Sequence, residues 1–254
     1  MPQRWPEKIW IVRHGESAGN VAREAAMQAG WTHIDIQERD VDVPLSQRGE
    51  EQATALGEWF AAKPANERPQ VVWVSPYRRA RKTAELIRAA GGLADDAYEF
   101  VVDERLREKE FGVLDRLTTA GIMATQPEQA EFRQLLGKFY HRPPGGESWC
   151  DVILRLRSCV DTMSLHHSGC RVLIVAHQVV VLCLRYLLEN MTEEEILAID
   201  RATDLANCSV TDYAFDAAEG KHGKLVLQNF NFVAPLREGG ATVTAEPDAT
   251  GAAK

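Results

Sequence analysis

The 254 residues contain five cysteines, at 150, 159, 170, 183 and 208, with no C-x-x-C pair among them. An odd, scattered set argues against a disulfide framework or a structural zinc site and for reduced, largely buried thiols. Long apolar runs are absent. The longest, 172–184, is interrupted by His177 and Gln178 and is too short to cross a bilayer. The first ten residues have no apolar stretch of the signal-peptide kind. A soluble, cytoplasmic protein with no membrane partner is expected. Positive charge is not in excess either: 29 Lys and Arg against 37 Asp and Glu give a net charge of −8. That excludes a nucleic-acid binder driven by counterion release, while a few local arginines still suffice to draw a small anion into a cleft. No cluster of Asp and His suggests a metal, so no cofactor is expected. His33, His141, His166, His167 and His222 lack partners at ligand spacing and are expected at the surface. No G-x-x-x-x-G-K-[ST] loop occurs, so no attached kinase half is expected.

What is present is enough apolar content, 45%, to bury one sizeable core. Residues 8–12 (KIWIV), 71–74 (VVWV) and 172–176 (VLIVA) are short β-branched runs that predict buried strands. Between them lie helical patterns: one after Ser46 as N-cap, one with Pro76 in its first turn, and one capped by Ser148 with Asp151 three residues on. A further helix over 179–188 and two late strands over 209–215 and 224–230 complete the pattern. Alternating strands and helices predict an α/β fold, three layers deep, with a mostly parallel central sheet. One domain over 1–235 is expected. Residues 21–43 and 109–145 have no strand pattern and stand as lid segments, and the small, polar stretch 236–254 is expected to be disordered.

The first strand runs into Arg13-His14, the second into a segment holding Arg78 and Arg79, the third into His177. Carboxyl ends of parallel strands share one sheet edge, where ligands bind. Two histidines with arginines suit a phosphoryl group, because guanidinium offers fixed donors to its oxygens and imidazole can act as nucleophile or donor. Gly15 lets the backbone approach closely.

Arg13-His14-Gly15-Glu16-Ser17 with Asn20 resembles the R-H-G-[E/Q]-[S/T]-x-x-N motif of the histidine phosphatase superfamily, also called phosphoglycerate mutase-like. Four further stretches resemble its motifs in order: Pro44-Leu45-Ser46 with Gly49 and Gln52; Ser75 through Arg79-Ala80 with Thr83-Ala84; Leu106-Arg107-Glu108 with Gly112; and Val175-Ala176-His177. The match covers roughly residues 8–230. The resemblance implies that His14 becomes phosphohistidine and that Arg13, Asn20, Arg79 and His177 hold the phosphoryl oxygens, with Gly15 and Ser17 beside them. Arg79, not Arg78, is the phosphate arginine by this register. Glu108 would be the acid, with Glu110 a local competitor and burial raising its pKa. Gln178 resembles the glutamine that follows this histidine in fructose-2,6-bisphosphatases, and Arg155 matches an arginine that contacts sugar phosphate there. The arginine those enzymes carry five residues after the histidine is Leu182 here, which implies a cleft wall without a cation for a second anion. A small-molecule phosphate ester is the expected partner and a metal-independent phosphatase the expected activity. Phosphoglycerate mutase and fructose-2,6-bisphosphatase stand as alternatives, and a catalytically idle phosphate-binding module as one of another class.

Overall fold

A computed structural model describes residues 5–93 and 99–245. Its frame is a six-stranded sheet in the order β3-β2-β4-β1-β5-β6, formed by β1 (Lys8–Arg13), β2 (Val71–Val74), β3 (Glu99–Val102), β4 (Arg171–Ala176), β5 (Val210–Asp216) and β6 (Lys224–Phe232). The first four are mutually parallel; β5 runs antiparallel to β1, and β6 antiparallel to β5. The expected fold class therefore holds. Strand β3 was not read in the sequence, because its apolar part, Phe100-Val101-Val102, is only three residues long and lies half-exposed at the sheet edge.

Side chains alternate across the sheet. Ile9 and Ile11 of β1 enter one buried cluster, with Leu156 and Val180, whereas Trp10 and Val12 enter the other, with Leu56, Phe60 and Ile87. The first cluster is covered by α6 (Trp149–His166), α7 (Gln178–Glu189) and Ile196 of α8 (Glu193–Ala202). The second is covered by α2 (Gln47–Ala61) and α3 (Arg78–Ala90). Deleting one of these fully buried side chains, as in Leu56→Ala, should cost about 2–5 kcal/mol.

Local signals fix the helix starts. Ser46 accepts from the Gly49 amide, and Ser148 and Asp151 form a reciprocal capping box. Helix α8 carries the same device in Thr192 and Glu195, a signal present in the sequence and not used there. Pro76 precedes α3 instead of entering its first turn: Tyr77 is the N-cap.

The two expected lid segments pack on each other. Residues 18–28 form α1 (Ala18–Gln28), and 29–43 run irregularly to a 3-10 turn, Asp40–Asp42. Residues 109–145 hold α4 (Thr119–Thr125) and α5 (Pro127–Tyr140), the latter kinked at Gly137. The Thr118 hydroxyl donates to the Trp31 carbonyl at 2.6 Å, its amide to that of Thr32, and the Ile34 amide to that of Arg116. A side chain at Gly121 would lie 1.9 Å from the Thr32 carbonyl oxygen, so glycine is what lets them close.

The segment from 236, expected to be disordered, is packed as far as residue 245. A short helix α9 (Ala234–Glu238) buries Leu236 against α2. The Gln52 amide donates at 2.9 Å to both the Thr242 carbonyl and the Thr244 hydroxyl. Small polar residues hide this order because the bonds are made to partners about 190 positions away. Residues 246–254 lie outside the described residues.

Candidate active site

The registers of β1, β2 and β4 are level: Val12 and Val74 both lie opposite Val175. The residues after each strand therefore emerge together, His14 from β1, Ser75 from β2 and His177 from β4. The imidazoles of His14 and His177, both fully buried, sit 5.1 Å apart edge to face. The His177 Nε2 and the Ser75 hydroxyl are 2.7 Å apart, and the Tyr77 ring packs on the other side of His177.

Histidine 14 has a defined tautomer. Its Nδ1 lies 2.7 Å from the Gly15 carbonyl, which can only accept, so the proton is on Nδ1 and the lone pair on Nε2. Arg79 Nε donates to that Nε2 at 3.2 Å. Arg79 is buried and Arg78 exposed.

The loop holding His14 is built by close backbone approach. A Cβ at Gly15 would lie 2.4 Å from the Gly49 carbonyl oxygen, and one at Gly49 would lie 2.0 Å from that of Glu16. Two motif glycines thus dock the loop on the start of α2. The Gly15 amide donates to Thr83 of α3, and the Glu16 amide to Gln52. The Glu16 carboxylate accepts from the Ser46 hydroxyl and from Arg48, an orienting role. On the far side, the Asn207 side chain donates to the His14 carbonyl.

Arg13 is fully buried and its guanidinium donates to the Leu205 carbonyl. Asn20 and Ser17 form the capping box of α1 and both line the adjoining cleft. Gln178 is buried in the first turn of α7. Glu108 is buried, with Oε1 accepting from the Lys109 amide at 2.7 Å. Glu110 is partly exposed and accepts from the Tyr77 hydroxyl at 3.0 Å. Burial, reinforced by the Asp40 and Glu110 carboxylates, pushes the Tyr77 hydroxyl far above its ordinary range.

Three expectations change. Arg155 is spent within the protein: it pairs with Glu147 at 2.9 Å and donates to the carbonyls of Arg105 and Glu108. Burial would raise the Glu147 carboxyl, but the Arg155 hydrogen bonds outweigh it and hold Glu147 below the usual range. Leu182 is not a cleft wall; it is fully buried in the α6/α7 core, because it points off α7 toward the sheet. His141 and His167 are buried as well. Burial lowers both, His141 near Gln129 and His167 accepting from the Trp73 indole. Arg142 pairs with Asp151 of the α6 cap.

Beside Arg79 opens a cleft walled by Ile34, Ile36, Val43 and Phe111, with Arg23, Asp40, Asp115 and Arg116 among its charged residues. Arg23, Asp40, Tyr77, Arg116 and Asn207 were missed in the sequence. They lie in irregular segments or between motif positions, where no spacing marks them.

The profile of the histidine phosphatase superfamily (branch 1) matches residues 9–229. The chain belongs to this superfamily. Its relatives include the fructose-2,6-bisphosphatase of Saccharomyces cerevisiae, 30% identical over 190 residues. That match takes in 75% of this chain and 36% of the yeast protein, so the chain spans about a third of the length of that relative. The probable phosphoglycerate mutase GpmB of Photorhabdus laumondii is 28% identical over 204 residues, covering 80% of this chain and 83% of the relative. Among solved structures, one titled mycobacterial hydrolase 1 superposes with a TM-score of 0.70 at 25% identity, covering 90% of this chain and all of that one. The superfamily thus joins this chain to proteins named as phosphatases and as mutases. No helix of the described residues is long and apolar enough to cross a membrane.

Proposed function

We propose that the protein hydrolyses small phosphate monoesters through a phosphohistidine on His14. The observation that carries the reading is the fixed tautomer: Nδ1–H is held by the Gly15 carbonyl, and Nε2 carries its lone pair beside Arg79. In the first step Nε2 attacks phosphorus while the ester P–O bond breaks. Glu108 gives its proton to the leaving oxygen, so the alcohol departs neutral. In the second, the Glu108 carboxylate takes a proton from water, the water oxygen attacks phosphorus, and the P–N bond returns its electron pair to Nε2. Arg13, Arg79, Asn20 and His177, with Gly15, Ser17 and Gln178 beside them, hold the phosphoryl oxygens as charge builds on them, usually the largest catalytic contribution. These groups supply the positive charge a metal would otherwise bring. A cytoplasmic setting, where five thiols stay reduced, belongs to the same reading.

A mutase or bisphosphatase needs a second cationic position for its substrate. Arg155, the sequence's candidate for it, is paired with Glu147, which favours hydrolysis of monoesters over either alternative.

Turnover of p-nitrophenyl phosphate in the presence of EDTA tests the proposal. Wild type should turn over and, given labelled substrate, carry acid-labile, base-stable label, while His14→Ala should lose at least a thousandfold in kcat. Label on serine or aspartate, or an active His14→Ala protein, overturns the mechanism. An inactive wild type would leave the idle binding module.

A further inference from the structure

We infer that Asp40 makes this cleft selective for phosphate esters whose alcohol part carries no second negative charge. The inference rests on the monoesterase reading and deepens it by naming a substrate class.

Asp40 sits on the 3-10 turn at the mouth of the cleft and shares Arg79 with the histidine. Arg79 Nε faces His14 Nε2 at 3.2 Å, while Nη1 lies 2.9 Å from Asp40 Oδ1 and Nη2 lies 3.3 Å from Oδ2. The Asp40 carbonyl accepts from Nη1 as well, at 2.6 Å. The carboxylate is therefore one guanidinium's width from where phosphorus must meet His14. It remains 41% exposed, open to the cleft.

The surrounding charges reinforce this. The cleft is lined by Arg23, Arg79 and Arg116 and by Glu38, Asp40 and Asp115, so its formal charges cancel before substrate arrives. A bound phosphoryl group turns the balance negative. The Arg116 guanidinium is turned to the Glu38 carbonyl, and the Asp115 carboxyl is raised by burial and then by Asp40 itself, a sign that the carboxylates already repel one another there. A carboxylate or second phosphate on the leaving group would meet Asp40 with no surplus cation to offset it. A hydroxyl would instead find an acceptor, and an apolar stem would find Ile34, Ile36 and Phe111.

A matched pair of substrates isolates the effect. Glycerol 3-phosphate and 3-phosphoglycerate differ chiefly in whether the far end is a hydroxymethyl group or a carboxylate. Wild type should favour glycerol 3-phosphate at least tenfold in kcat/KM, and Asp40→Asn, nearly isosteric, should shrink that ratio about tenfold, equivalent to roughly 1.4 kcal/mol. Asp40→Ser, assayed in parallel with its thermal transition, should shift the ratio in the same direction. Because a ratio is compared, any general change in how Arg79 is held cancels. Wild type preferring 3-phosphoglycerate, or both variants losing activity equally on the two substrates, would overturn the inference while p-nitrophenyl phosphate turnover left the phosphatase reading standing. A wild type that turns over none of the three would overturn both.

Discussion

At the scale of single residues, Lys109 has the most to say about energy. It follows Glu108, is almost fully buried, and lies over the Phe111 ring at 4.5 Å. Burial, with Arg133 close by, lowers its ammonium from 10.5 to about 8. The folded protein thus disfavours the charged form, and between about 8 and 10.5 the unfolded chain binds more protons. Stability contributed at this site should rise with pH across that window and carry the whole penalty below it. Lys109→Met should therefore be more stable than wild type at pH 7 by something on the order of 3 kcal/mol, the difference fading toward pH 10.5. Urea unfolding at pH 7, 9 and 10.5 would measure it, and a pH-independent difference would reject it. Single residues were read where they belong to a motif: the close approach of Gly15 to Gly49 demands glycine, while His14, Arg79 and His177 were placed by their spacing within the motifs. Leu182 misled because one position on a helix reads differently depending on which face meets the sheet, and Asp40 was invisible because nothing in an acidic, irregular stretch says which carboxylate turns inward.

Among elements, the loop 104–110 depends on a side chain from another helix. Arg155 of α6 bonds the Arg105 and Glu108 carbonyls while gripping Glu147, which in turn accepts from Arg107 and from the Glu110 amide. This makes Arg155 a fastening of the loop that carries Glu108, where the sequence suggested a substrate contact. Arg155→Met should lower kcat about tenfold or more on alkyl phosphates, which need a protonated leaving group, and less on p-nitrophenyl phosphate. KM should change little. A large rise in KM with kcat preserved would restore the substrate-contact role. Element starts were read at the caps Ser46 and Ser148, though not at Thr192, whose capping box starts α8. Strand β3 was not read, because an edge strand held by backbone bonds on one side can carry as few as three apolar residues.

For the molecule as a whole, the layers and the parallel core of the sheet could be read from strand and helix alternation. The closure of the fold could not, since it depends on contacts between distant segments of unremarkable composition. Residues 242 and 244 bond Gln52, Thr244 donates to Asn207, and Asn207 bonds the carbonyl of His14. Ending the chain after residue 241 removes four hydrogen bonds, each worth about 1 kcal/mol. The melting temperature should fall by roughly 8–16 °C, and p-nitrophenyl phosphate turnover should fall with it as the His14 loop loosens. An unchanged melting temperature would show that the strap is idle.

The same strap sets a timetable for synthesis. His14 is made before every part that holds its loop, and its strand waits for β4, then for Asn207, and then for Thr244 to come free of the exit tunnel. A growing chain carries His14 long before it carries those parts, so the loop should become protease-resistant in one step once Thr244 has emerged, and not by degrees as it is translated.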